Sequence, residues 1–226
     1  MNLRRGQLIG VLTLWIIAAA IFILNESTIS SKFAKWRDEH RDESIRSARL
    51  RLFNSYMELA RKGDPGAQFN VGLFYFHGFA PERNSAEAVK WWLKSAESGY
   101  AKAQSKLGDC FSTGEGVTKD IPAGLNWHRM AAAQGDSRSH IWLSKQHLDG
   151  GIVSTDKIEA FAYLTLAKRY SESSLEPSEK WTVSSHSLLI NTDPLVTEET
   201  RTLGIKRADE FQKEIDANIA AKQAGK

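Results

Sequence analysis

The sequence predicts an all-α protein, a right-handed α-solenoid of helical hairpins with a 36-residue repeat, set after an N-terminal transmembrane helix. Three observations predict it: an uncharged run at residues 8–24, a helical spacing of apolar residues from residue 45, and columns of like residues recurring every 36 positions. The composition agrees. With 42% hydrophobic and 25% charged residues among 226, the chain has ordinary globular content and enough length to bury a core. A net charge of +3 predicts no affinity for nucleic acid, and a single cysteine permits no internal disulfide. In order, the segments are an anchor (1–25), a charged stalk (26–44), a capping helix (45–66), three repeats (67–172) and a C-terminal helical cap with tail (173–226).

The run from Leu8 to Leu24, LIGVLTLWIIAAAIFIL, has 17 residues without a charge. As a helix it spans about 25 Å, and Gly6, Gln7 and Asn25 extend it toward a ~30 Å hydrocarbon layer. Arg4 and Arg5 precede it and are expected to stay in the cytoplasm, which puts the remainder on the outer face of the inner membrane, in the periplasm. A cleaved signal peptide is the alternative. Ile21-Phe22-Ile23-Leu24 after the alanine triplet makes the apolar run too long for it, so an uncleaved single-pass anchor is preferred.

Residues 35–51 alternate acidic and basic side chains at i,i+3 and i,i+4, the pattern of an exposed helix. Ile45, Ala48, Leu52, Tyr56 and Leu59 then mark an amphipathic helix over about 43–62, ended by Gly63.

The repeat is the strongest signal. Gly78, Gly114 and Gly150 share the 36-residue offset, as do Trp91, Trp127 and Tyr163, Asn84, Asp120 and Asp156, and Val71, Leu107 and Leu143. Ala67, Gly72, Ala103 and Gly108 let a neighbouring helix approach, while Gly78, Gly114 and Gly150 end the first helix of each unit. Asn84, Asp120 and Asp156 cap the second helix. The aromatic column beginning at Trp91 is expected to fill the gap between helices, and Gly99 and Gly135 to close the units. Each unit is therefore an antiparallel hairpin, and stacked hairpins build a solenoid.

The segment GDCFSTGEGVTKDIPAGLNWHRMAAAQGD resembles a Sel-one-like repeat, a longer relative of the tetratricopeptide repeat. The second unit carries the family pattern at Ala103, Leu107, Gly108, Phe111, Gly114, Gly116, Val117, Asp120, Trp127, Ala131, Ala132 and Gly135. The first departs from it in the loop GFAPERN, and the third has Ser144 for the glycine and His147 for the aromatic. Residues 45–63 match the second half of a preceding unit. The resemblance implies a fold that displays a binding surface, not a particular chemistry.

After Tyr170 the pattern changes. A short helix with Trp181, Ser185 and Leu188 on one face is expected, then a turn at Asn191–Pro194. A last helix from near Thr197 has Ala208, Phe211, Ile215 and Ile219 on one face, and its final residues are expected to fray.

No catalytic constellation, metal-ligand spacing or cofactor fingerprint is present, so no catalytic, metal or cofactor residue is assigned. Cys110 reads as a buried inert thiol. By resemblance to tetratricopeptide solenoids, the first helices line the partner-binding side. Phe69, Leu73, Phe76 and His77 then serve the first unit, Asp109 the second and Lys145 the third. For the rings of the first unit, packing against the helix of residues 45–62 is the preferred alternative, since a stripe at helical spacing is more often core. Trp92 and Trp142 stand where sister units are polar (His128 for Trp92; Asn70 and Lys106 for Trp142), which marks them as candidate exposed anchors. The expected function is a non-enzymatic, membrane-anchored adaptor for a protein or peptide. The alternatives are an envelope enzyme or cell-wall-binding protein, with Asp109 and Asp149 or His147 as its acid/base pair, and a structural subunit of an envelope complex.

Overall fold

Helix boundaries follow from side chains that satisfy the free N–H groups of each first turn. Asp64, Asn84, Asp120, Asp136 and Asp156 each accept a bond from a backbone N–H two or three residues on, at 2.6 to 3.0 Å. Each such cap is worth about 1 kcal/mol. At the other end Gly78, Gly114 and Gly150 adopt left-handed φ values of 72°, 87° and 68°, and each amide returns to the carbonyl four residues back. A side chain is strained in that conformation, which is why this column is glycine.

The computed structural model describes residues 35, 43–79, 82–150, 153–173 and 196–224. Eight helices appear among them: α1 (43–61), α2 (Pro65–His77), α3 (Ser85–Glu97), α4 (Ala101–Thr113), α5 (Ile121–Ala132), α6 (Ser137–Asp149), α7 (Lys157–Ser173) and α8 (Glu198–Ala224). The chain divides into two units after Arg51. In the first, the described residues 43–51 are helical and largely exposed. Among the described residues no helix is long and apolar enough to cross a membrane. The run 8–24, most of the stalk and the helix expected around Trp181 lie outside the described residues.

In the second unit α2/α3, α4/α5 and α6/α7 form hairpins, successive hairpins pack through α3/α4 and α5/α6, and α8 packs on α7. The hairpin loops are pinned alike: Asn84, Asp120 and Asp156 donate their amides to the carbonyls of Tyr75, Phe111 and His147 at 2.8 to 2.9 Å. The junctions repeat too. Gln68 donates to Ala60 O, and Gln104 to Ala96 O, each at 3.2 Å. Ala60 thus plays the part of Ala96, which makes residues 52–61 the second helix of a preceding half-unit.

The structure departs from two sequence expectations. Of the stripe Ile45, Ala48, Leu52, Tyr56 and Leu59 on α1, only Tyr56 packs, with its ring 6.1 Å from Phe74, while Ile45, Leu52 and Leu59 are 42%, 48% and 47% exposed. Phe53 and Ala60 are the buried residues, and Phe53 sits 5.6 Å from both Phe74 and Tyr75. Nor is the Trp91 column the deepest one. Trp91 and Trp127 are half-buried, whereas Trp92 and His128, the next residue in each unit, are fully buried. One residue turns the side chain ~100° about a helix, enough to exchange rim for core.

The C-terminal helix begins where expected, with Thr197 Oγ1 accepting from Thr200 N at 3.2 Å, and buries Ala208 and Ile215. Its last turns are helical through Ala224 rather than frayed. Lys222 explains this: its Nζ donates to Gly99 O and to Gln134 Oε1, both at 2.7 Å. The long helix therefore reaches back along the row of turns that close the hairpins.

A candidate partner-binding strip

The first helices of the three hairpins bring several candidate residues into one line of contacts. On α2, Phe76 is half-buried, with its ring centroid 5.3 Å from that of Trp92. The ammonium of Lys106 on α4 lies 5.7 Å from the centre of the Phe76 ring, within cation–π range. Lys106 Nζ is 3.9 Å from Asp109 Oδ2 one turn on. Asp109 Oδ1 is 3.7 Å from His128 Nε2, and the His128 ring stacks on Trp142 of α6 at 4.2 Å. The line Phe76–Lys106–Asp109–His128–Trp142 thus crosses all three hairpins. Phe76, Lys106, Asp109 and Trp142 keep part of their surface in solvent, and Lys145, one turn beyond Trp142, is exposed.

Burial sets the electrostatics. It pushes the His128 pKa down to about 3, with the charge of Arg138 adding to the effect, so the imidazole is neutral. It also raises the Asp109 pKa above the usual carboxylate value, against the pull of Lys106 and Arg138. The 3.7 Å contact is too long for a hydrogen bond and pairs a carboxyl group with a neutral ring, so it is not an ion pair. Cys110, beside Asp109, is buried, and desolvation pushes its thiol up to about 12. It is a protonated, inert thiol, as its place in the sequence implies.

His128 Nδ1 also lies 3.3 Å from Ser139 Oγ, so a serine, a histidine and an aspartate stand in series. The arrangement does not support nucleophilic chemistry. Ser139 and His128 are both 0% exposed, and Trp142 covers the ring, so no substrate carbonyl reaches the hydroxyl. Asp109 makes its ionisable contacts with Lys106 and His128, not with Asp149 or His147, and the His147 ring stacks on Tyr163 at 5.6 Å. Among the described residues no group of three or more His, Cys, Asp or Glu is placed to hold a metal ion.

The two tryptophans proposed as exposed anchors fare differently. Trp92 is 0% exposed; its indole lies over Gly72 and its Nε1 donates to Phe69 O at 3.1 Å. It is a core residue and offers no surface to a partner. Trp142 is half-buried, with one face on His128. Phe69 and Leu73 are half-buried against the core shared by the first and second hairpins, not against α1, and Phe69 meets Tyr100 at 5.4 Å. His77 is exposed beside Phe76 and Phe79. Lys106 and His128 complete the line, and the sequence alone does not assign them to it. Their signal was the 36-residue column: Lys106 is the counterpart of Trp142, and His128 of Trp92.

The Sel1 repeat family matches this architecture at residues 65–100, 101–136 and 137–169. Residues 65–169 are three Sel1 repeats. The boundaries coincide with the hairpins α2/α3, α4/α5 and α6/α7. Among curated proteins the chain is similar to the chitin synthase regulator SKT5 of Saccharomyces cerevisiae, 33% identical over 104 residues, 45% of this chain and 15% of that one. It is also similar to HRD3A, an ERAD-associated E3 ubiquitin-protein ligase component of Arabidopsis thaliana, 33% identical over 58 residues, 25% of this chain and 9% of that protein. The matches therefore span a small part of those relatives. Among solved structures, c5321, a protective antigen of uropathogenic Escherichia coli with an SLR fold, superposes with a TM-score of 0.61 at 24% identity, covering 76% of this chain and 35% of that one. That likeness concerns the fold.

Proposed function

We propose that the protein is a non-enzymatic Sel1-repeat scaffold that holds a partner polypeptide along the strip from Phe76 to Lys145, anchored in the inner membrane by residues 8–24 with the repeats in the periplasm. The strip carries this reading. It offers half-buried aromatic rings at Phe76 and Trp142, a Lys106–Asp109 pair between them and an exposed lysine at its end. Rings fixed on a preformed helical array cost little entropy to engage, and the charged pair fixes orientation. Two relatives point the same way by name, one a regulator of a synthase and the other a component of a ligase. The uncharged run behind Arg4 and Arg5 supports the anchor and its orientation.

The test places a photo-crosslinking amino acid at position 145 of the full chain, with position 90, an exposed site on α3, as the control. A discrete adduct from 145, absent from 90 and reduced at least tenfold by Trp142→Ala, is the expected result. Equal labelling from both positions would overturn the strip. Reporters fused to the C-terminus are expected to be active only outside the cytoplasm. Activity inside would overturn the orientation and leave the strip standing.

A further inference from the structure

A cavity of about 130 Å³ lies where α5, α6, α7 and α8 meet, away from the strip residues. Its apolar wall is formed by Leu143 on α6, Leu166 on α7, Phe211 and Ile215 on α8, with Ala132 and Ala133 at the end of α5, and Tyr163 on α7 adds a phenol ring. Arg129, Glu214 and Asn218 line it as well, and all three are exposed, so this side opens to solvent. His140 contributes a ring that is 1% exposed and stacked within 4° of parallel on Tyr170. Burial lowers the His140 pKa to about 4, so at neutral pH the wall carries no charge there.

The repeat explains why space exists at this junction. At the two preceding junctions Gln68 and Gln104 reach the carbonyls of Ala60 and Ala96. His140 holds the same place in the 36-residue column and turns to Tyr170 instead. Ala133, which is half-buried, presents only a methyl group at this wall, whereas its counterparts Glu97 and Arg169 are exposed. The helix α8 then roofs the space with Phe211 and Ile215.

We infer that this cavity is a binding site for a small, neutral, apolar group of about one aromatic ring. Size and lining argue for it. A dry cavity of ~150 Å³ lined by Leu, Ile and Phe accepts benzene, and a cavity that opens at one side gives such a ligand a route in. A charged ligand is disfavoured, because Arg129 and Glu214 offer opposite charges and the interior offers none. The group is either a free molecule or the ring of a side chain, and one experiment separates the two.

The full chain is titrated with toluene while the methyl resonances of leucine, isoleucine and alanine are followed by NMR, alone and in Ala133→Leu. Saturable shifts at Leu143, Leu166, Ile215 and Ala132, weakened at least tenfold in apparent affinity by Ala133→Leu, are the expected result. The variant is compatible with the backbone, since sister units carry longer side chains at this place. The wild-type shift map tests the site even without it. Shifts spread equally over the first hairpin, non-saturable shifts, or binding that survives Ala133→Leu would each overturn the site. N-acetyl-phenylalanine amide titrated in the same way identifies the source: shifts at the same methyls assign the site to a polypeptide side chain, and shifts with toluene alone assign it to a free molecule.

Discussion

The first and second hairpins solve one packing problem with different chemistry. In both, a glycine on the first helix makes room for a ring from the second. A Cβ on Gly72 would stand 2.5 Å from Cδ1 of Trp92, and one on Gly108 2.6 Å from Cδ2 of His128. The indole is larger, and its one N–H is satisfied by Phe69 O. The imidazole is smaller and more polar. It keeps Ser139 Oγ at 3.3 Å on Nδ1, while Nε2 is buried without a hydrogen-bond partner and lies 3.7 Å from Asp109. The third hairpin abandons the device: Leu164 takes the ring's place and Ser144 the glycine's, with Ser144 Oγ bonded to Ala160 O at 2.7 Å. Thus the first hairpin buries a large apolar ring, whereas the second accepts a polar ring that links Asp109 to Trp142. A repeat position that trades core volume for polar contact is a place to look for function.

The largest effect that sharpens this contrast is truncation of the rings. Trp92→Ala should destabilise the protein by about 3–5 kcal/mol, read as a shift of the urea midpoint at constant m. His128→Ala should cost less, because it removes a smaller ring and also relieves an unpaired buried nitrogen. Equal losses would mean that the two junctions are energetically the same. Next come Gly72→Ala and Gly108→Ala, each of which drives a methyl into a ring and should cost about 1–3 kcal/mol. Gly72→Ala is expected to be the worse of the two, since the indole is fixed by its bond to Phe69. Near-UV circular dichroism of the tryptophans should change with Gly72→Ala more than with Gly108→Ala.

Acid separates the hairpins in a different way. His128 and His140 have folded pKa values of about 3 and about 4, below the ordinary histidine value of 6.5. The unfolded chain therefore binds more protons than the folded one below pH 6.5. Stability present above that pH is lost as the pH falls toward the folded values. At pH 5 the loss is about 2 kcal/mol for each histidine. His147, also lowered by burial, adds to the same slope, so His128→Phe should reduce the slope between pH 6.5 and 5 without removing it, while Trp92→Phe leaves it unchanged. A thermal-unfolding series in that window that is flat for the wild-type chain would contradict the burial of both rings as neutral groups.

The sequence made the periodic features legible because they are local. Caps at Asn84, Asp120 and Asp156, turns at Gly78, Gly114 and Gly150, and the last helix from Thr197 all follow from short-range rules, and the structure has them. What was not legible depends on angle and on neighbours. Trp91 and Trp92 are adjacent in sequence, and the choice of which one enters the core is made by Gly72 on another helix. The stripe of Ile45, Leu52 and Leu59 has good helical spacing, yet the three residues are exposed, and Phe53 packs instead because Phe74 and Tyr75 face it. The candidate site divides in the same way. Phe76, Asp109 and Lys145 follow from the resemblance to tetratricopeptide solenoids and Trp142 from the repeat register, but Lys106 and His128 join them only through contacts between helices.

The smallest expected effect concerns a charged contact between the loops of the first two hairpins. Arg83 Nη2 meets Glu115 Oε1 at 3.0 Å, with side chains 64% and 41% exposed. Water screens such a pair, and ordering two long side chains offsets most of the attraction. Arg83→Ala should therefore move stability by about 0.5 kcal/mol or less, and 0.5 M salt should move wild-type stability equally little through this pair. The junction is held by Trp92, Leu107 and the small residues between them, all of which are buried. A loss well above 1 kcal/mol in Arg83→Ala would reverse that ranking. It would point to the guanidinium lying 5.8 Å from the centre of the Phe76 ring, because that contact would then hold the aromatic end of the strip in place.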